Sequence, residues 1–146
     1  MNVQSILSVK GTAVATIAHD ASIADAVALM RDRGYGALVV SDDGSSIDGI
    51  VSERDIVRAL DSHGAGTMGR AVSSCMSGNV LTCTVADTID RLMSMMTERR
   101  IRHLPVRTDD GKIGGMISIG DVVKFRVQEL ERENSQLHDY IQGNVQ

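Results

Sequence analysis

Short apolar runs alternate with helical apolar spacings along the first 60 residues. Residues 14–17 form a β-prone run, and within residues 22–34 apolar side chains recur every three or four positions, which predicts one helix face. Two further apolar runs, 37–40 and 47–51, flank a turn rich in Asp, Gly and Ser and predict strands. A second helix is predicted to begin at Ser52. The pattern therefore predicts a β-α-β-β-α unit.

The same order of elements returns 66 residues later, because residues 16–57 align with residues 82–123 without a gap. In the second copy we predict a strand at 80–85, a helix at 88–100, strands at 103–107 and 113–117, and a helix from about 119. The identical pairs are Thr16/Thr82, Ile23/Ile89, Met30/Met96, Arg33/Arg99, Leu38/Leu104, Val40/Val106, Asp43/Asp109, Ile47/Ile113, Gly49/Gly115, Ser52/Ser118, Asp55/Asp121 and Val57/Val123. An internal duplication at a fixed offset indicates two copies of one structural unit. The predicted fold class is α/β (α+β), with two β-α-β-β-α repeats and a C-terminal helix.

The 146 residues divide into two repeats, a connection and a tail. A repeat of about 60 residues is marginal for a core of its own, so we expect the two to pack as one pseudo-two-fold module. We predict repeat 1 at residues 1–62, a Gly-rich linker at 63–71, repeat 2 at 72–125 and a C-terminal helical tail at 126–146.

The tail carries an apolar seam. Val127, Leu130, Asn134, Leu137 and Ile141 alternate by three and four positions, with Asn134 at a position that can set coiled-coil register. A coiled coil and an amphipathic helix lying on its own module both fit this pattern. Either way the tail is predicted to be a surface for association.

Composition and charge exclude several classes of function. With a formal net charge of −4, a pI of about 5.5 and 2% aromatic residues, the chain is not expected to attract nucleic acid or anionic membranes. Cys75 and Cys83 fit neither a metal spacing nor a disulfide framework, which indicates a reduced setting. The first residues lack the basic start and apolar run of a secretion signal. We therefore expect a cytoplasmic protein with no metal site.

One motif occurs at equivalent places in both copies: Gly, two apolar residues, Ser, two variable residues and Asp. It reads Gly49-Ile50-Val51-Ser52-Glu53-Arg54-Asp55 in the first copy and Gly115-Met116-Ile117-Ser118-Ile119-Gly120-Asp121 in the second. With the element order and Arg102-His103-Leu104-Pro105-Val106, residues 3–125 resemble a tandem pair of CBS domains, a Bateman module. The resemblance implies a cleft between the repeats that binds adenine nucleotides or nucleosides.

Two interpretations of the motif remain open. Ser-x-x-Asp at a helix start is a cap, in which Ser accepts an exposed N–H and Asp complements the helix dipole, so both copies could be purely structural. A helix N-terminus also attracts phosphate, and a carboxylate can accept hydrogen bonds from both hydroxyls of a ribose. The resemblance assigns ribose to Asp55 and Asp121 and phosphate to Ser52 and Ser118.

The two clefts are not equivalent. Arg102 and His103 stand where the first copy has Gly36 and Ala37, and in nucleotide-binding relatives basic residues at this place reach toward the phosphate held by the first repeat. The better-equipped nucleotide site is therefore predicted from Gly49, Ser52, Arg54 and Asp55 with Arg102 and His103. The cleft of Ser118 and Asp121 is expected to bind weakly, to prefer a neutral nucleoside or to stay empty.

No catalytic constellation emerges, because no His is assigned to Ser52 and neither a dinucleotide-binding glycine motif nor a P-loop occurs. We predict a regulatory protein that is not an enzyme, requires no cofactor and binds an AMP-like ligand, with AMP, ATP, NAD and S-adenosylmethionine as candidates. A homodimer and an unidentified protein partner are expected. The alternative is a structural dimerisation module that binds no small molecule.

Overall fold

The structure, a computed structural model, describes residues 1–143, so the last three residues of the predicted tail lie outside it. Two 3₁₀ turns, Gly64–Gly69 and Val72–Ser74, connect the two repeats. The α/β fold predicted from the sequence, with its long C-terminal helix, is confirmed. The elements are α1 (Val3–Lys10), β1 (Thr16–Ile17), α2 (Ile23–Arg33), β2 (Ala37–Val40), β3 (Gly49–Ser52), α3 (Glu53–His63), α4 (Ile89–Arg99), β4 (His103–Arg107), β5 (Ile113–Ser118) and α5 (Ile119–Ile141).

The two repeats contain equivalent β-ladders. β2 pairs antiparallel with β3, where Leu38 lies opposite Val51, and β4 pairs antiparallel with β5, where Leu104 lies opposite Ile117. Each residue of the second pair follows its counterpart by 66 positions. The offset of the sequence repeat is therefore also the offset of the strand register.

The strand predicted at 80–85 is wrong. Within it only Cys83 pairs, through an isolated parallel bridge to Val106, whereas β1 forms a parallel ladder with β2. Just after Cys83, the carbonyls of Val85 and Asp87 accept N–H groups from the first turn of α1 at 3.1 and 2.9 Å. Pairing with α1 thus takes the place of a longer strand.

Each repeat has its own apolar core, and each core borrows a segment from outside its repeat. Helix α1 packs into the core of the second repeat, while Val72 and its neighbours pack into the core of the first. The second core contains Val3, Ile6, Leu7, Cys83, Ile89, Leu92, Met96, Leu104, Val106, Ile117, Val122 and Phe125. The first contains Ile17, Ile23, Ala26, Met30, Leu38, Val40, Val51, Ile56 and Val72.

The two borrowed segments are equivalent at an offset that differs from the rest of the repeat. Asn2 bridges Thr88, and Ala71 bridges Ser22. Ser22 and Thr88 are 66 residues apart, but Asn2 and Ala71 are 69 apart. This slip of three residues hides the equivalence from a gapless alignment.

Helix α5 leaves the module after its first turns. Val122 and Phe125 are buried in the second core, whereas every described residue from Leu130 onward is exposed. The apolar seam of the tail therefore does not lie on its own module. None of the helices in residues 1–143 is both long and apolar enough to cross a membrane.

Candidate functional site

A cavity of about 550 Å³ lies between the repeats at the N-terminus of α3. Its volume is within the range of small-molecule sites. Five of the predicted site residues line it together: Ser52, Arg54, Asp55, Arg102 and His103. The side chains that the sequence analysis assigned to one cleft thus meet in one cavity.

Asp55 belongs to a complete capping box. Its Oδ2 accepts the backbone N–H of Ser52 at 2.8 Å and the Ser52 hydroxyl at 3.0 Å, while Ser52 Oγ accepts the Asp55 N–H at 3.3 Å. Among the described residues Oδ1 has no hydrogen-bond partner. The capping and binding interpretations therefore use different oxygens of one carboxylate and are compatible.

The second motif forms the same cap but holds an additional partner. Asp121 Oδ2 accepts the N–H and hydroxyl of Ser118 at 2.9 and 3.0 Å, and it also contacts Lys10 Nζ at 2.7 Å. Lys10 Nζ donates a second bond, at 2.7 Å, to the carbonyl of Met116. Burial acts to raise the pKa of Asp121, but the bonds from Lys10 and Ser118 outweigh it and hold the pKa below its usual value.

Lys10 therefore covers the carboxylate of the second cleft. A cavity of about 320 Å³ lies there, and its lining includes Lys10 and Ser118 but not Asp121. At the offset of the borrowed segments, the counterpart of Lys10 is Asn79, which lines the larger cavity. This shorter, uncharged side chain cannot form the ion pair that Lys10 makes, and in the part of the chain that the structure describes Asp55 has none.

His103 lies in the wall between the two clefts, since it lines both cavities together with Gly36. A Cβ added to Gly36 would lie 3.2 Å from His103 Cε1 and 2.8 Å from Glu53 Oε1, so only glycine fits here without displacement. Burial lowers the pKa of His103, and Lys10 and Arg102 lower it further while Glu53 and Asp121 oppose them. His103 is thus held toward its neutral form.

Gly49 does not line either cavity. An added Cβ would approach Met76 Sδ to 2.8 Å and the Ser77 carbonyl oxygen to 3.0 Å. Ser77 in turn exchanges backbone hydrogen bonds with Ile50 and lines the larger cavity. The glycine lets the cavity wall approach β3 and does not face the cavity itself.

Three basic residues of the larger cavity were missed by the sequence analysis: Arg58, Arg99 and Arg100. Arg58 lies one helical turn beyond Arg54 on α3, and the other two end α4. A signal for Arg100 was present, since it stands where the first copy has Gly34.

The described residues offer little for metal or thiol chemistry. In residues 1–143 no group of three or more His, Cys, Asp and Glu side chains is placed to hold a metal ion. Cys75 and Cys83 are free thiols, and burial raises the pKa of Cys83 to about 12.

Comparison with known families gives a match to the CBS domain at residues 8–62 and 72–128. A CBS domain-containing protein of Arabidopsis thaliana, CBSX3, named as mitochondrial, is 40% identical over 128 residues. That match covers 85% of this chain but 62% of the Arabidopsis protein, so this chain spans less than two thirds of it. The name of this Arabidopsis protein states no catalytic activity.

Solved structures show the same fold. The crystal structure of the CBS-domain containing protein ATU1752 from Agrobacterium tumefaciens is 42% identical, with a TM-score of 0.83 over 86% of this chain and 99% of that one. Two structures at 23% identity establish the fold alone. One is the CBS domain pair of protein MJ0100 in complex with 5-methylthioadenosine and S-adenosyl-L-methionine, with a TM-score of 0.76 over 88% of this chain and 98% of that one. The other is CBSX2 in complex with AMP, with a TM-score of 0.73 over 87% of this chain and 97% of that one.

Proposed function

This chain belongs to the CBS domain family, and we propose that it is a regulatory module that binds an adenine nucleotide or nucleoside in the cavity at Asp55. The observation that carries the proposal is that three features meet around one cavity of ligand size: a carboxylate oxygen without a partner among residues 1–143, a helix N-terminus and several guanidinium groups. These are the groups that a ribose and a phosphate require.

In this proposal each predicted residue has a distinct task. Asp55 Oδ1 accepts the ribose hydroxyls while Oδ2 keeps the cap on α3. The Ser52 hydroxyl exchanges its bond to Asp55 Oδ2 for one to phosphate, which Arg54 and Arg102 also face, and His103 contributes a ring N–H to it. Gly49 acts indirectly, by letting Ser77 form a wall of the cavity. That structures of this fold were solved with AMP and with S-adenosyl-L-methionine supports adenine as the base.

The second cleft has a subordinate part in the proposal. Ser118 and Asp121 have the same cap geometry as the first motif, but Lys10 already neutralises Asp121. A ligand there meets a carboxylate whose charge is already balanced by an ammonium group that makes two hydrogen bonds of 2.7 Å. We therefore expect one tight site per chain and a second that binds weakly or remains empty.

Thermal shift measurement with adenosine, AMP, ATP, NAD and S-adenosylmethionine tests the proposal, because a ligand that binds only the native state raises the melting temperature. Guanosine and cytidine nucleotides are the controls for base selectivity. No shift with any adenine compound, at concentrations up to the millimolar range of the cell, would refute small-molecule binding.

The second candidate function is a dimerisation module without a ligand. Its support is that the motif residues of each copy form a capping box with one another, and that apolar side chains stay exposed at equivalent places on α3 and α5. Val57 is 64% and Val123 52% exposed, and the two are related by the repeat. Dimerisation through this surface is compatible with nucleotide binding and is expected in either case. A cytoplasmic location remains a prediction beside the mitochondrial name of the Arabidopsis relative.

A further inference from the structure

The larger cavity is lined by more cations than a single phosphate requires. Its lining holds five guanidinium groups and two carboxylates, those of Glu53 and Asp55, in a chain whose overall charge is negative. Among residues 1–143 none of the five forms an ion pair, whereas three of the seven other arginines, Arg31, Arg91 and Arg126, do. The five are Arg54, Arg58, Arg99, Arg100 and Arg102.

This charge is confined to one side of the pseudo-two-fold module. Three of the five arginines, Arg54, Arg100 and Arg102, have glycine as their counterpart in the other copy. Arg58 and Arg99 have basic counterparts, but neither of these lines the second cavity. Simple duplication therefore does not account for the cluster.

Arg100 occupies a backbone conformation that disfavours its side chain. It has φ of 54°, in the left-handed region, and is the single non-glycine residue with positive φ among residues 1–143. The equivalent residue in the first repeat is Gly34, with φ of 69°. A glycine would fit this turn better, so the presence of Arg100 points to a role for its side chain.

The position also links the two repeats. Arg54 Nη1 donates to the Arg100 carbonyl oxygen at 3.1 Å, which connects α3 of the first repeat to the end of α4 in the second. Arg58 lies one turn further along α3, about 6 Å from Arg54 along the helix axis. The arginines thus extend the basic lining beyond the helix N-terminus that would hold the first phosphate.

We propose that the ligand of this cavity is an adenine nucleotide with two or more phosphates, and that Arg58, Arg99 and Arg100 bind the phosphates beyond the first. This inference rests on the proposed function, since Asp55 must hold the ribose for the chain of phosphates to reach these residues. Each further phosphoryl group adds negative charge and acceptor oxygens, and guanidinium groups bind such oxygens in pairs. The excess of three guanidinium groups over carboxylates suits a di- or triphosphate better than a monophosphate.

Calorimetric titration of the full chain with adenosine, AMP, ADP and ATP, without divalent cations, tests the assignment. We expect affinity to rise along the series, with ATP about tenfold or more tighter than AMP, as one or more added charge-assisted hydrogen bonds would give. R58Q and R99Q should each weaken ATP about tenfold by the same reasoning and change AMP by less than about twofold. R33Q is the matched control, because Arg33 is the counterpart of Arg99 and lines neither cavity.

Arg100→Gly supplies a readout that a structural role for Arg100 would not produce. It should leave the melting temperature unchanged or raise it, because the left-handed turn suits glycine, and it should still weaken ATP more than AMP. A lower melting temperature with unchanged ATP affinity would overturn the assignment of Arg100.

The outcomes separate this inference from the function on which it rests. If AMP binds and ATP binds no more tightly, the polyphosphate assignment is wrong and the adenine site stands. If R58Q, R99Q and R33Q behave alike, the assignment is also wrong. If no adenine compound binds at all, the proposed function is refuted and this inference with it.

Discussion

Asp55→Ala should lose more affinity for AMP than Asp121→Ala, whereas Asp121→Ala should lose more stability. Both carboxylates cap a helix through Oδ2 with nearly the same geometry, at 2.8–3.0 Å from Ser52 in one motif and 2.9–3.0 Å from Ser118 in the other. Each replacement therefore loses a similar hydrogen-bonding contribution to its capping box, about 1 kcal/mol. What differs is the charge: among residues 1–143 Asp55 forms no ion pair, whereas Oδ2 of Asp121 also holds Lys10.

The two differences have estimable sizes. Asp121→Ala also removes an ion pair whose side chains are 33% and 22% exposed, which adds about 1 kcal/mol of destabilisation at the upper end for a partly exposed pair. For a chain of this length that lowers the melting temperature about 3 °C further than Asp55→Ala does. Asp55→Ala instead removes hydrogen bonds from ribose to a charged group, about 1.5–3 kcal/mol, or roughly tenfold or more in affinity.

Calorimetric titration with AMP and differential scanning calorimetry on both variants measure these two effects. Asp55→Asn is the control for folding, because its amide oxygen can still accept the cap bond while the charge is lost. Equal losses of AMP affinity in the two alanine variants, or no loss in Asp55→Ala, would refute the asymmetry of the clefts. Equal melting temperatures would refute a stabilising role for the Lys10 pair.

Four further predictions concern the charges around the clefts and the tail. Arg102→Ala should reduce the preference for AMP over adenosine, and it should make the affinity for AMP less sensitive to salt, as titrations at two ionic strengths will measure. Equal binding of AMP and adenosine to the wild type would contradict a phosphate role. Lys10→Asn, which copies Asn79 of the other cleft, should free Asp121 and add a second adenosine-binding event to the titration; an unchanged stoichiometry would count against Lys10 as the obstacle. The pKa of His103 is lowered in the folded protein, so between that pKa and the ordinary 6.5 the unfolded chain binds more protons, and acidification destabilises the fold. Between pH 7.5 and 5, denaturant unfolding should therefore show a smaller loss of unfolding free energy for His103→Gln than for the wild type. Light scattering should find a homodimer for the full chain and a weakened dimer for residues 1–127, because the apolar seam of α5 is exposed in the protomer. A monomeric full chain at micromolar concentration would exclude the dimer.

Local patterns in the sequence predicted most elements of the two repeats, but not α1, and the strand they predicted at 80–85 is wrong. The helix within residues 22–34, the helix start at Ser52 and the long helix from about 119 all lie where the spacing predicts them. These features depend on contacts within about one turn, so a few neighbouring residues determine them. The offset of 66 also predicted which strand pairs match, because two copies of one unit repeat the same ladder.

The binding properties of the clefts, by contrast, depend on contacts between distant parts of the chain. Lys10 meets Asp121 across 111 residues, and Arg54 meets the Arg100 carbonyl across 46. The first contact exists because α1 packs into the core of the second repeat, at an offset of 69 that the gapless alignment does not contain. The sequence by itself determined that there are two similar clefts with Ser and Asp at each. Only the tertiary structure decided that, among the described residues, one carboxylate pairs with a lysine and the other with no cation. That difference arises because the packing of a remote helix brings Lys10 within hydrogen-bonding distance of Asp121.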